Sequence, residues 1–282
     1  MNGNFEHCAA LVREADHDRF LASLFAPEAD RDALYALFAF NAEIARVRDA
    51  VREPMAGEIR LQWWREALAG ERSGEERAHP VAAALRVVIE RHGIDIQTLF
   101  ALIDGHAFDF YEQPFAGLLD LEIYAERTEA TVFALAADIL GGRSVAASAV
   151  IRHVGIAYTI AGVLRNFARD VAHGRMYMPL DLLLRHGATP QTALGGQPTQ
   201  ELRKTIAELR ICAQDHLGAA HRDFSALPTS ILPAILPVAL VRPLLMRLER
   251  LGDDPFKLTA APRWRRQWRL WRAAHKPSRI FA

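Results

Sequence analysis

The chain has 282 residues, of which 51% are apolar and 24% are charged, and its formal net charge at pH 7 is zero. This length and composition suit one large domain with a substantial core, and the balanced charge argues against nucleic acid as a partner. The two cysteines form no Cys-x-x-Cys pair, which argues against a disulfide framework or a zinc site and fits the reducing cytoplasm.

Apolar residues recur at helical spacing along nearly the whole chain, and no strand-like alternation of useful length occurs. Loops are short, and no internal repeat is evident. The sequence therefore predicts an all-α fold in one domain, residues 1–282. The predicted helices cover residues 33–51, 58–68, 80–92, 98–111, 121–140, 146–171, 181–185, 201–224 and, with proline interruptions, 227–251.

No uninterrupted apolar run reaches the roughly 18 residues of a membrane-spanning helix. The best candidate, Ile231 to Met246, is interrupted by three prolines and Arg242. The first residues lack the basic and apolar regions of a secretory signal. We therefore expect a cytoplasmic protein.

The first predicted helix contains a segment, Ala36 to Asp49, that ends in an acid, Asp49. Residues four apart lie one turn apart on one face of a helix, and two carboxylates so placed can hold a divalent ion. The partner position of Asp49 is Ala45, with Arg46 beside it and Asn41 one turn earlier. This face therefore holds one carboxylate where a metal pair needs two.

The second segment, Leu164 to Pro179, shows the same loss. Helical spacing predicts a stripe of Asn166, Asp170 and Gly174, so the position four residues after Asp170 has no side chain. The segment then continues directly into a turn that contains Arg175 and Tyr177.

Both segments resemble the two aspartate-bearing helices of the squalene/phytoene synthase family, and the resemblance covers almost the whole chain. It implies an isoprenoid-synthase-like helical bundle around a central cavity, where the family binds Mg²⁺ and a prenyl diphosphate. Ala36–Asp49 followed by Glu58–Arg65 is similar to one branch of the family. That branch has eroded aspartate motifs and includes a mitochondrial assembly factor of respiratory complex I and its bacterial relatives.

The missing acids decide between two hypotheses. At an effective dielectric constant of about 20, one charge contact at about 4 Å is worth roughly 4 kcal/mol, so losing two acids should greatly weaken a multi-Mg²⁺ centre. We favour a non-catalytic or catalytically reduced protein that serves respiratory-complex assembly or binds a prenyl diphosphate or an apolar lipid. The candidate cavity and diphosphate-binding residues are Asn41, Asp49, Asn166, Arg169, Asp170, Arg175 and Tyr177.

The alternative is an active head-to-head prenyl-diphosphate synthase of terpenoid biosynthesis. In that case Asp49 and Asp170 coordinate Mg²⁺, while Asn166 and Arg169 position the diphosphate. Each acid also has a purely structural interpretation, as a helix-surface ion pair with a neighbouring arginine.

The C-terminal segment, residues 263–282, is rich in tryptophan and arginine. Trp264, Trp268 and Trp271 are spaced to share one helical face, and residues 263–279 contain seven Lys or Arg and no acid. Such a helix can lie on a membrane surface or dock on a partner protein, such as a respiratory-complex subunit; alternatively, its tryptophans pack on the domain. The membrane interpretation predicts a peripheral location at the inner membrane face.

Overall fold

The predicted helices are present in the computed structural model of the chain, which describes residues 2–51, 53–111, 114–142 and 145–282. No strand occurs within these ranges, so the all-α prediction is confirmed. The α-helices are α1 Asn2–Ala15, α2 His17–Ser23, α3 Glu28–Ala50, α4 Pro54–Ala69, α5 Ser73–Ala78, α6 Pro80–His92, α7 Ile96–Ala107, α8 Leu118–Ala125, α9 Thr131–Ile139, α10 Val145–Ala172, α11 Leu180–Arg185, α12 Pro190–Leu194, α13 Gln200–Arg222, α14 Leu232–Ile235, α15 Val241–Arg250 and α16 Arg263–His275.

Helix boundaries follow local signals where these are strong. Helix α6 starts at Pro80, where a missing N–H costs nothing, and ends at Gly93, whose φ of +61° suits a residue without Cβ. Helix α13 starts after Thr199, whose side-chain oxygen accepts the Leu202 N–H at 3.2 Å. The predicted span of α6 is confirmed at both ends.

The predicted helix over residues 121–140 is divided. Between α8 and α9 the chain forms one π-helical turn, Glu126–Ala130, which widens the backbone locally. Helix α10 passes this turn closely, because a Cβ added to Gly155 would lie 2.4 Å from the Ala130 Cα. Only glycine at position 155 allows this approach of two backbones.

Contacts divide the chain into two compact units. Unit 1 comprises Met1–Tyr111, Thr131–Ala147 and Leu227–Pro237; unit 2 comprises Glu112–Ala130, Ser148–Ala226 and Val238–Ala282. The single-domain organisation stays a prediction.

The core of unit 1 is built around α3, which packs against α1, α6 and α9. Its apolar face is fully buried through Leu34, Leu37 and Phe40, and the Phe40 ring meets the Trp64 ring of α4 edge-on at 5.1 Å between centroids. This packing fixes the rotation of α3, and therefore which of its side chains can face a ligand.

Unit 2 is tied together by arginine–carboxylate pairs on α13. The Arg210 guanidinium donates to both Asp253 carboxylate oxygens, at 2.7 and 3.2 Å, and Arg203 donates to the buried Asp254 at 2.9 Å. Bidentate pairs of this kind are geometrically specific. They hold the segment after α15 against α13.

Two stretches are long and apolar enough to cross a membrane by length and composition, Ala147–Ala172 and Thr229–Arg250. Only the second overlaps the best apolar run of the sequence, Ile231 to Met246. Of the most apolar 18 residues in each stretch, 61% and 56% are buried inside the protein, as in the core helices of globular folds.

Candidate functional site

The first motif segment is helical up to and including its acid. Asn41, Ala45 and Asp49 all lie within α3 at intervals of four residues, so they share one face as predicted. Asn41 is buried, Ala45 is half-buried and Asp49 is exposed in the last turn. Unit 1 thus presents one amide and one carboxylate on this face.

The second motif segment differs from its prediction at Gly174. Helix α10 ends at Ala172, and Gly174 follows with a φ of +72°. The Arg175 N–H donates to the Asp170 carbonyl at 2.8 Å and the Gly174 N–H to the Val171 carbonyl at 3.0 Å, which is the pattern of a Schellman helix end. The predicted stripe of Asn166, Asp170 and Gly174 is therefore wrong at its third member, because position 174 lies beyond the helix.

The remaining polar residues of this segment gather at the end of α10. Asp170 is buried, Asn166 is half-buried and Arg169 is exposed, with its Nη2 atom 3.5 Å from the Asp170 Oδ1 atom. His173 is exposed, and its Nδ1 atom lies 2.7 Å from the Arg169 carbonyl oxygen. The same Arg169 carbonyl also accepts the His173 backbone N–H at 3.2 Å, so the imidazole adds a second contact to a carbonyl near the helix end.

Arg175 and Tyr177 lie on the turn that follows. Both are half-buried, while Met176 and Met178, which alternate with them along the chain, are buried. The turn is fixed by the Leu180 N–H, which donates to the Phe115 carbonyl at 2.8 Å. The predicted residues of unit 2 therefore lie at the end of α10 and on the turn after it, and those of unit 1 lie in the C-terminal half of α3.

These donors do not fit a multi-Mg²⁺ centre. Mg²⁺ requires several oxygen ligands in near-octahedral geometry, and each motif supplies one carboxylate. Ala45 has no oxygen in its side chain, and Gly174 has no side chain and follows the helix end. We assign no chemical step to Mg²⁺.

A pocket that the sequence analysis did not predict lies on another face of α3. It has a volume of about 380 Å³ and is confined to unit 1. Its lining residues are Glu43, Arg46, Val47, Ala50, Arg60, Trp63, Trp64 and His79. Arg46, whose place in the sequence indicates only that no acid stands beside Ala45, is exposed and brings a positive charge to the pocket lining.

Trp63, which lines one wall of this pocket, is held by a network of hydrogen bonds. The Trp63 Nε1–H donates to the Glu75 carboxylate at 2.8 Å, and Arg72 pairs with the same carboxylate at 3.2 Å. The hydrogen bond from Trp63, followed by that from Arg72, lowers the pKa of Glu75. Trp63 is only half-buried, so part of its ring is available to a ligand.

The C-terminal helix exposes its tryptophans. Trp264, Trp268 and Trp271 on α16 are 63%, 53% and 46% exposed, whereas Leu270 and Ala273 on the other side of the helix are buried. The Trp268 and Trp271 rings stack at 5.0 Å between centroids, and the aromatic face borders an open groove of about 550 Å³. The interpretation that these tryptophans pack on the domain is therefore wrong.

Comparison with known proteins defines the class of the chain. Residues 12–272 match the family model described as squalene/phytoene synthase. The chain belongs to the squalene/phytoene synthase family, as its sequence motifs predicted.

Two curated relatives and one solved structure illustrate the range of similarity. The chain is 27% identical over 255 residues to NADH dehydrogenase (ubiquinone) complex I, assembly factor 6, of Bos taurus, covering 90% of this chain and 77% of that protein. It is also 27% identical over 241 residues to phytoene synthase of Rhodobacter capsulatus, covering 83% and 69%. The crystal structure of squalene synthase HpnC from Alicyclobacillus acidocaldarius superposes with a TM-score of 0.75 at 25% identity, covering 90% and 96%. The isoprenoid-synthase-like fold is confirmed.

Proposed function

We propose that this chain is a non-catalytic member of its family that acts in the assembly of respiratory complex I. The observation that carries the proposal is the missing second carboxylate in both motif segments. A prenyl-diphosphate synthase of this family needs those acids to hold Mg²⁺ against the diphosphate, and neither Ala45 nor Gly174 supplies an oxygen. Similarity to assembly factor 6 over 90% of the chain supports the role in assembly.

The membrane is the place where such a factor would act, and α16 supports a peripheral location at the inner face of the inner membrane. Indole rings favour the membrane–water interface because one part of the ring is apolar and the N–H is polar. Each Lys or Arg near an anionic leaflet adds about 1 kcal/mol of attraction, and residues 263–279 carry seven with no acid. Exposed tryptophans and basic residues on one helix thus complement an anionic bilayer.

A second candidate function is prenyl-diphosphate synthase activity with reduced metal binding. Asn166, Arg169 and Asp170 are retained together at the end of α10, and the chain is also similar to a phytoene synthase. In this case the arginines of the segment would contact the diphosphate, because a guanidinium matches phosphate geometry. Binding of an apolar or prenylated ligand without turnover lies between these two candidate functions.

Deletion of the gene in its host tests the assembly role. We expect complex I abundance on native gels and NADH:ubiquinone reductase activity to fall, and the wild-type gene to restore both. A double variant, Asp49→Ala with Asp170→Asn, should restore the abundance and the activity equally well, because the assembly role does not require the two motif carboxylates. An unchanged amount of complex I in the deletion strain would rule out this role.

A product assay tests the rival. Purified protein is incubated with Mg²⁺ and farnesyl or geranylgeranyl diphosphate, with the Rhodobacter phytoene synthase as the active control. We expect no hydrocarbon above background. Turnover that Asp49→Ala or Asp170→Ala abolishes would establish the synthase instead.

Co-sedimentation with vesicles tests the membrane proposal. The full chain should bind vesicles that contain phosphatidylglycerol, less so at high salt, and replacing Trp264, Trp268 and Trp271 together with alanine should abolish binding. The matched control replaces three apolar residues elsewhere that are even more exposed, Met55, Ile59 and Leu119, and should bind like the wild type. Equal binding by both triple variants would contradict the proposal.

A further inference from the structure

A cluster of metal-ligand side chains lies in unit 2, separate from both motif segments. Cys212 and His216 are four residues apart on α13, so they share one helical face. Glu122 on α8 meets them from the other side, with its Oε1 atom 3.4 Å from the His216 Nε2 atom. The thiol, the imidazole and the carboxylate each offer one ligand atom, and these atoms all lie within 4.8 Å of one another.

We propose that Glu122, Cys212 and His216 form a binding site for one divalent transition metal ion of the Zn²⁺ class. Three protein ligands leave a fourth tetrahedral position for water or a small ligand. Ligand atoms around a tetrahedral Zn²⁺ ion are about 3.3–3.8 Å apart, given bonds of about 2.0–2.3 Å. The Glu122–His216 distance already falls in this range, and small rotations of flexible side chains close the remaining gaps.

The choice of metal follows from the donor set. A thiolate disfavours Mg²⁺ and Ca²⁺, which take oxygen ligands, whereas one sulfur, one imidazole nitrogen and one carboxylate oxygen suit Zn²⁺ or Co²⁺. The three side chains are half-buried, so the site excludes bulk water only in part and remains open to an entering ion.

A fourth side chain orients the imidazole. The His153 Nδ1 atom on α10 lies 2.9 Å from the His216 Nδ1 atom. A metal-binding histidine usually donates its second ring N–H to an acceptor, which fixes the tautomer. With His153 as that acceptor, the His216 Nε2 atom keeps its lone pair for the metal on the side where Glu122 lies.

The thiol has to lose its proton when the metal binds. Burial, and then the Glu122 carboxylate, raise the pKa of Cys212 to about 11. A coordinating thiol is nevertheless deprotonated by the ion itself, which supplies the positive charge that the thiolate lacks. One proton is released to solvent for each ion bound.

Titration of the full chain with Co²⁺ tests the site, because thiolate coordination produces a charge-transfer absorption band. We expect the wild type to show this band and to saturate at one Co²⁺ per chain. The only other cysteine of the chain, Cys8, is buried on α1 in unit 1, so Cys8→Ala is the matched control and should keep both band and stoichiometry. Cys212→Ala should lose the band.

Three further variants distinguish metal coordination by these side chains from a network that hydrogen bonds alone hold together. His216→Gln and Glu122→Gln should each weaken Co²⁺ binding by more than about tenfold, and His153→Gln by about tenfold through the lost orientation. Zn²⁺ should raise the melting temperature of the wild type and of Cys8→Ala, but not that of Cys212→Ala. Circular dichroism checks that each variant is folded, and Cys212→Ser replaces Cys212→Ala if the latter is not.

Absence of a saturable band in the wild type would overturn the proposal, as would an equal band in Cys212→Ala. Either result would leave Glu122, His216 and His153 as a hydrogen-bonded chain without a metal. Neither result depends on complex I or on prenyl diphosphates, so the site can fail while the proposed function stands.

Discussion

The two motif segments have lost their second acid in different ways. On α3, the position of the missing acid is Ala45, inside a regular helix and one turn before Asp49. After α10, the position is Gly174, beyond the helix end and in the left-handed region with a φ of +72°. The first loss concerns one side chain, whereas the second concerns the course of the backbone.

This difference decides what a single substitution can restore. An acid at position 45 would share a helical face with Asp49, but an acid at position 174 would share none with Asp170. The surviving acids differ as well, since Asp49 is exposed and Asp170 is buried. The second segment is therefore less able to form a metal site than its sequence spacing indicates, although it retains more of the family's residue pattern.

The largest predicted effect distinguishes the two motif helices by how they pack. Helix α3 contains no glycine, whereas α10 approaches Ala130 through Gly155. Gly155→Ala should lower the free energy of unfolding by about 3 kcal/mol, because two backbones cannot relax as side chains do. Gly162→Ala on the same helix meets nothing within 4 Å and should raise it by about 1 kcal/mol. Denaturant unfolding measures both, and equal effects would contradict this account of the packing.

The second prediction compares the two surviving acids. Asp170→Ala should lower the free energy of unfolding by about 1–3 kcal/mol, because it removes a buried carboxylate and the charged hydrogen bond that this carboxylate accepts from Arg169. Asp49→Ala should change it by less than about 0.5 kcal/mol, as expected of an exposed position. Thermal and urea unfolding of both variants check this. If Asp49→Ala were the more destabilising change, exposure would not be what separates the two acids.

The sequence predicted the long helices from α3 onward well, because apolar periodicity and caps are local signals, but it did not predict α1, Asn2–Ala15. Thr199, Pro80 and Gly93 marked helix boundaries correctly, and the shared face of Trp264, Trp268 and Trp271 followed from spacing alone. Gly174 was misassigned although a glycine after His173 is itself a helix-stop signal. Acids four apart on one helix predict position 174 on the same stripe, but the helix-stop signal of the glycine decides the local backbone.

Other features had weak signals or none in the sequence. The π-turn Glu126–Ala130 has no distinctive composition, and Gly155 looks like any helical glycine until its neighbour is known. Cys212 and His216 were detectable as a pair four apart, but Glu122 lies 94 residues from His216. Contacts over such distances arise from tertiary packing, which periodicity does not reveal.

The third prediction isolates the backbone at position 174. Gly174→Ala should lower the free energy of unfolding by about 1–2 kcal/mol, because an L-residue is strained at a positive φ. Gly74→Ala on α5 is the control, because an added Cβ meets nothing within 4 Å at either position and only Gly174 has a positive φ. We expect Gly74→Ala to be neutral or stabilising. A neutral Gly174→Ala would mean that the strained turn does not persist in solution.

The fourth prediction adds an acid at position 45, which should have the smallest effect on stability and should create a binding site for a metal ion. Ala45→Asp adds a like charge one turn from Asp49 and should lower the free energy of unfolding by only about 0.2–0.5 kcal/mol without metal. Added Mn²⁺ should reverse this loss, because two carboxylates on one helical face bind a hard cation better than one does. Ala45→Asn, which lacks the charge, and Gly174→Asp, which lies beyond the helix end, should show no such dependence on Mn²⁺. Unfolding curves with and without Mn²⁺ measure all three variants. If Gly174→Asp gained as much from Mn²⁺ as Ala45→Asp, the end of α10 would not be the obstacle, and the two motif segments would have lost their acids in the same way.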